Sequence, residues 1–262
     1  MLDHKKYGER IVVGVSGGKD STATCLHLIE RGFIPSDFDR VFIDTGWENK
    51  KTYEYLDYLE TQIGDIKRIR AIIPIKPEDK DFIEDIETQI GVSSMLRRIV
   101  YYSMFPSRVR KWCTTELKLK PLRQHFDRMD DVPLNVVGIR KEESKRRSSM
   151  TQIEWNSLLD AYTWRPILDW RIGDVIAIHK RFNVVPNPLY LESSERVGCY
   201  PCIMSRKKEI ASLDRSRIDL IDRIEKYISA KKGQERTFFH DHNIEIMSQW
   251  SKTSRGGKQY SL

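Results

Sequence analysis

The sequence predicts an α/β fold: a doubly wound parallel sheet of about five strands with flanking helices and a helical C-terminal part. Two observations lead there. Short apolar runs alternate with helical stretches at the spacing of βαβ units. The first run ends in Ser16-Gly17-Gly18, a turn that opens directly into a helix.

Residues 10–15 are the first strand. The helix at 21–31 follows, with Ala23, Leu26, Leu28 and Ile29 apolar and Gly32 as its stop. Residues 40–44 are a second strand, Thr45-Gly46 turns the chain, and 49–63 read as the next helix. A third strand is expected at 69–75, bounded by prolines, and a fourth at 134–139. Residues 79–104, 114–128, 172–182 and 205–229 read as helical, and the small, polar, basic stretch 251–262 as a flexible end. The insertion at 79–105 is a lid, a partner surface or the contact of a homodimer.

Composition sets the class. Of 262 residues 39% are apolar and 32% charged, and the mean hydropathy is −0.54. No apolar run approaches the roughly 18 residues of a membrane span, so no membrane partner is expected. The start, Met1 to Lys6, lacks the apolar core of a secretory signal, which makes a cytoplasmic location the expectation. The net charge of +7 favours an anionic partner: a nucleotide, a nucleic acid or a sulfated metabolite. Eight of the basic residues fall between Arg97 and Arg123 against a single acid, Glu116, which reads as a solvated face or a phosphate-binding wall.

The turn after the first strand carries the chemistry. Amides at a helix N-terminus point at an anion and the helix dipole favours negative charge there. Gly17 and Gly18 let the backbone approach, Ser16 and Ser21 add hydroxyls, and Lys19 adds a positive charge. The motif is not the common P-loop, because Asp20 rather than Ser or Thr follows Lys19. Asp20 has two readings: a carboxylate that shares a Mg²⁺ with bound phosphates, or a helix cap. At the end of the second strand, Asp44-Thr45-Gly46-Trp47 stands where an acid meets a ribose in βαβ folds.

Ser16-Gly17-Gly18-Lys19-Asp20-Ser21-Thr22 after an apolar strand resembles the pyrophosphate loop of the adenine nucleotide alpha-hydrolase superfamily. With Asp44-Thr45-Gly46-Trp47, the run from Trp164 to Trp170, Asn187-Pro188-Leu189-Tyr190 and Gly198-Cys199-Tyr200-Pro201-Cys202, it resembles the phosphoadenosine phosphosulfate reductase family. The likeness spans about residues 9–205. Gly138 to Ser144, followed by Arg146-Arg147, resembles that family's Gly-x-Arg-x-x-x-Ser element. The resemblance implies an adenine nucleotide, ATP or PAPS, at the C-terminal edge of the sheet, with Gly138, Arg140, Ser144 and Arg147 around its reacting phosphate or sulfate. It divides the chain into a nucleotide domain, 1–195, and a C-terminal part, 196–262, with the cysteine pair, a helix and a basic tail.

Cys199-x-x-Cys202 has ligand spacing, and Cys113 is its natural third member. Cys25 lies inside the first helix and reads as core packing. Three cysteines suit a [4Fe–4S] cluster with one open iron; a Zn²⁺ site completed by another residue and plain reduced thiols are the alternatives. The resemblance implies two chemistries. Sulfonucleotide reduction uses a cysteine near the C-terminus, and none follows Cys202 in this sequence. ATP-splitting members adenylate an acceptor and pass sulfur to it, with Lys19, Asp20, Arg140 and Cys113 the catalytic candidates and a nucleic acid or a sulfur-donor protein as further partners. A nucleic-acid-binding module without catalysis is the reading from a different class.

Overall fold

The computed structural model describes residues 4–192, 194–239 and 242–253. Strand β1, Arg10–Gly14, buries Ile11, Val12 and Val13 because it is paired on both sides. The chain then runs through helix α1, Lys19–Glu30, strand β2, Phe38–Ile43, helix α2, Lys50–Ile63, and strand β3, Ile66–Ile69. Helices α3, Lys80–Ile90, and α4, Ser94–Tyr102, come next. They are followed by the short α5, Trp112–Thr114, a π-helical turn, Thr115–Leu119, and α6, Lys120–Phe126. Strand β4, Pro133–Val137, the single turn α7, Lys145–Ser148, and strands β5, Ile153–Asn156, and β6, Ala161–Trp164, complete the sheet. Helices α8, Ile172–Arg181, α9, Lys207–Ala211, α10, Arg215–Lys232, and α11, Ile244–Ser251, follow.

The sheet order is β3-β2-β1-β4-β6-β5, with five parallel strands and β5 antiparallel at one edge. The chain winds outward from β1 to β3, then returns to place β4 on the other side of β1. That reversal is a topological switch point, where the carboxyl ends of neighbouring strands leave a crevice. The doubly wound α/β class is therefore as expected.

The differences from expectation have local causes. The third strand begins and ends earlier than the predicted 69–75, because it pairs with β2 from Arg40↔Ile66 to Ile43↔Ile69 and β2 ends there. The apolar residues beyond serve otherwise: Ile73 is buried in a second, helical core, while Ile72 is 95% exposed. The stretch 79–104 is two helices, divided at Gly91 with φ 77° and restarted by Ser93, whose hydroxyl accepts from the Leu96 amide at 3.1 Å. Residues 205–229 are likewise divided before α10, which Asp214 caps through the Arg217 amide at 2.7 Å. Strands β5 and β6 and helix α11 were not anticipated; each strand is only four residues long. Of the stretch expected to be flexible, 254–262 lies outside the described residues.

Two large cores result. One fills the space between the sheet and helices α1, α2 and α8, and includes Cys25. The other joins residues 73–117 to 210–247, with α4, α10 and α11 around Ile99, Ile221 and Ile244. The insertion at 79–105 is thus half of a helical core. Among the described residues no helix is long and apolar enough to cross a membrane.

Candidate nucleotide and cysteine site

The start of α1 is built to leave amides open. First-turn amides have no acceptor within a helix, and the N-cap, Gly18, offers no side chain to them. Gly17 takes φ 71°, a left-handed conformation in which side chains are strained. The turn is held from outside. Asn187 Nδ2 donates to the Gly17 carbonyl at 3.1 Å, and the Lys19 amide donates to the Tyr190 hydroxyl at 3.1 Å. His179 Nε2 lies 2.9 Å from the Lys19 carbonyl. Within the turn, the Ser21 hydroxyl donates to the Gly18 carbonyl at 3.0 Å and accepts from the Ser16 amide at 3.1 Å.

Gly138, at the end of β4, closes the crevice from the neighbouring strand. A Cβ there would stand 2.5 Å from the Asp20 carbonyl oxygen and 2.8 Å from the Ser21 nitrogen, so only glycine lets β4 end against the start of α1. Between them lies a cleft of about 170 Å³, walled by Ser16, Gly18, Lys19, Ser21, Arg147 and Arg196, among others. Lys19 Nζ sits 3.4 Å from Asp20 Oδ2 and 4.8 Å from the centre of the Tyr190 ring. Arg147 is paired with Glu143, and Arg196 is exposed with no ion pair among the described residues.

Not every expected residue faces this cleft. Arg140 is buried and is not one of its walls; its Nε donates to Asp20 Oδ1 at 2.5 Å and its Nη1 to Glu142. Burial opposes its charge, but hydrogen bonds and attraction from Asp20 and Glu142 outweigh that and hold its pKa above the ordinary value. Asp20 is therefore neutralised by Arg140 and caps no amide. Ser144 caps α7, accepting from the Arg147 amide at 3.3 Å. Asp44 is occupied by the Gly46 amide at 2.8 Å, the Tyr53 hydroxyl at 2.8 Å and Arg70. Thr45 donates to Glu48 at 2.7 Å, and its carbonyl accepts from the Met95 amide at 3.0 Å.

The turn after Asp44 docks on the cysteine pair. Glu48 pairs with Cys199 in an antiparallel bridge, the Tyr200 amide donates to the Trp47 carbonyl at 2.8 Å, and Trp47 Nε1 donates to the Pro201 carbonyl at 3.2 Å. Arg217 stacks its guanidinium 4.0 Å from the centre of the Trp47 ring, and burial lowers its pKa to about 10. Lys118 lies beside Cys113, Cys199 and Cys202, and its pKa is raised first by Cys199 and then by Glu48, Cys113 and Cys202, against the effect of burial. Burial pushes the Cys199 thiol up to about 12 and raises Cys113 as well, with Lys118 opposing in both. Among the described residues no three His, Cys, Asp or Glu side chains are placed to hold a metal ion. The groups at this locus are three thiols, the Lys118 ammonium and the Glu48 carboxylate.

The Phosphoadenosine phosphosulfate reductase domain model matches residues 10–205, three quarters of the chain. The chain belongs to this family. An uncharacterized 37.8 kDa protein of Escherichia phage 186 is 31% identical, with all of this chain and 94% of that protein covered. Adenosine 5'-phosphosulfate reductase of Allochromatium vinosum is 27% identical over 71% of this chain and 64% of the enzyme. The chain spans less than half of an uncharacterized Methanocaldococcus jannaschii relative, MJ0066, at 28% identity. The phosphoadenylyl-sulfate reductase of Candida auris, solved as a phosphate complex, shares the fold with a TM-score of 0.51 at 16% identity, over 72% of this chain and 81% of that one.

In this family member the distant motif Asn187 to Tyr190 braces the turn at residues 16–21, and the turn at Asp44 to Trp47 packs on the cysteine loop. Residues not singled out from the sequence are His179, Arg196 and Glu48; Lys118, counted there in the basic run, lies beside the cysteines instead. Arg196 had a signal, being three residues before Cys199 in a loop already marked. His179 and Glu48 had none beyond their charge.

Proposed function

We propose that this protein binds an adenine nucleotide with its phosphates in the cleft, and that it uses ATP to adenylate an acceptor and then pass sulfur to it. The single observation that carries this is one loop: Arg196 and Val197 wall the phosphate cleft, and the same loop supplies Cys199 and Cys202. Anion-binding and sulfur chemistry are thereby neighbours. The cations Lys19 and Arg196 are suited to the charge that grows on a leaving pyrophosphate, with Arg147 beside them held by Glu143.

An acceptor oxygen attacks the α-phosphorus, the α–β anhydride bond breaks, pyrophosphate leaves, and the acceptor's proton goes to solvent. A hydrosulfide-equivalent sulfur, delivered by a sulfur-donor protein, then displaces AMP from the acceptor. A Mg²⁺ bound with the triphosphate would supply charge neutralisation there, next to Lys19 and Arg196. Cys113, Cys199 and Cys202 would hold a [4Fe–4S] cluster. Three thiols beside the Lys118 ammonium suit a group that is anionic when thiolate-ligated. Such a cluster, when bound, leaves one iron open to a sulfur ligand.

Sulfonucleotide reduction is the second reading, favoured by the adenosine 5'-phosphosulfate reductase relative. One assay separates them. Anaerobically purified protein with ATP, Mg²⁺ and a sulfide source is expected to release pyrophosphate. Sulfite release from a sulfonucleotide with a thiol reductant, and no pyrophosphate from ATP, would replace adenylation with reduction. Iron–sulfur absorbance that disappears in Cys199→Ser supports the cluster; colourless, iron-free anaerobic protein removes it.

A further inference from the structure

Two cavities open on the helical side, and none of their walls is a wall of the phosphate cleft. The smaller, about 260 Å³, is walled by Tyr102, Arg110, Trp112, Glu116 and Lys232. The larger, about 840 Å³, runs from Phe105 and Val109 to Ile203, Met204 and Phe238. Met104 and Arg236 belong to both, so the two form one groove.

The smaller cavity is rich in unmet donors. Trp112 is 5% exposed and its indole N–H has no acceptor. The Arg236 Nε is also buried without one, while its Nη2 donates to Gln234 at 3.2 Å. The side chains of Arg110 and Lys232 make no ion pair among the described residues. Glu116, the acid in this wall, is already held by Arg98 at 3.0 Å and by the Tyr102 hydroxyl at 2.8 Å. Buried donors without acceptors need a partner, and the cations Arg110, Lys232 and Arg236 around them favour an anionic one. The larger cavity differs: Val109 is 99% and Met204 43% exposed, an uncovered apolar surface beside Arg206, which is paired with Glu195, and Glu235.

Together the cavities exceed the roughly 300–1,000 Å³ of a small-molecule pocket. Cationic walls beside an apolar floor, in a chain of net charge +7, match a polymer that alternates phosphates with flat apolar groups. Two of its walls are chain neighbours of the cysteines, Trp112 before Cys113 and Ile203 after Cys202, although no cysteine is itself a wall. We infer that this groove binds a single-stranded nucleic acid, with phosphates on Arg110, Lys232 and Arg236 and bases over Val109 and Met204. A duplex hides the base faces that such a floor needs. Binding stands by itself; that the bound strand is the sulfur acceptor rests on the sulfur-transfer reading above.

The test is fluorescence anisotropy of labelled single-stranded RNA and DNA oligomers across a salt series, with ATP binding measured in parallel on the full chain. The triple variant Arg110→Ala, Lys232→Ala, Arg236→Ala is expected to lose about tenfold or more in affinity. Its logarithmic salt slope should fall by about 2, since each phosphate contact contributes about 0.7. Met204→Ser covers a triple variant that fails to fold: several-fold weaker single-strand binding with an unaltered salt slope supports the groove. Unchanged affinity in either folded variant, or tighter binding of a duplex than of a single strand, overturns the inference. Lys19→Ala separates the two claims, because it should lose ATP and keep the oligomer. Oligomer binding without any ATP binding by the unaltered chain sinks the proposed reaction and leaves the groove standing.

Discussion

Lys19 and Gly138 shape the proposed phosphate site for opposite reasons, one by charge and one by the absence of a side chain. Lys19 Nζ is only loosely engaged, 3.4 Å from Asp20, so it is free to turn to a phosphate. A charge-assisted hydrogen bond contributes about 1.5–3 kcal/mol, so Lys19→Ala should weaken nucleotide binding by about 10- to 100-fold in titration calorimetry. Unchanged affinity would remove Lys19 from the site. Gly138→Ala acts on shape. Its Cβ would meet backbone atoms of Asp20 and Ser21, which must shift. We expect a loss of about 1–3 kcal/mol in urea denaturation together with weaker nucleotide binding. The six residues of the turn stand out in the sequence because their pattern is local. Tyr190, Asn187 and His179 act from 160 residues or more away, and no local pattern shows which loop a side chain will reach. Asp44 and Arg140 show the reverse: both stand where expected in sequence, yet their charges are consumed by Arg70 and Asp20.

Among elements, the turn between α10 and α11 offers a pH test. Glu225 on α10 is buried, and its carboxylate accepts from the Phe238 amide at 2.8 Å and the Ile244 amide at 3.1 Å. Burial nevertheless raises its pKa from 4.5 to about 7. A raised folded-state pKa means the native protein holds this proton more tightly than the unfolded chain. The stabilisation is complete below about pH 4.5 and is lost as pH rises through about 7, on the order of 3 kcal/mol in all. Glu225→Gln keeps an acceptor oxygen and has no proton to lose. Urea unfolding at pH 5 and pH 8 should show the unaltered protein losing more stability across this interval than the variant; parallel losses would contradict the assignment. Elements with a strong period and a clear stop, such as α1, α2 and β1, were legible. Strands β5 and β6 were not, because four residues carry too little alternation, and residues 70–75 misled because Ile73 serves the helical core rather than the sheet.

For the molecule as a whole, the switch point between β1 and β4 explains why the site lies where it does. The strand ends diverge there, α1 presents its amides, and the loop carrying Arg196 and Cys199 crosses from one core to the other. The helical core was the least legible part, since it joins residues 73–117 to 210–247 across the entire second half of the sheet. Everything proposed depends on phosphates resting on the start of α1. The most direct measurement is the structure of the protein with a non-hydrolysable ATP analogue and Mg²⁺. It should show phosphate oxygens within hydrogen-bond distance of the amides of residues 17–21 and of Lys19 Nζ, with the Tyr190 hydroxyl displaced from the Lys19 amide. A triphosphate bound elsewhere, with Tyr190 still on Lys19 and the cleft closed, would contradict the account.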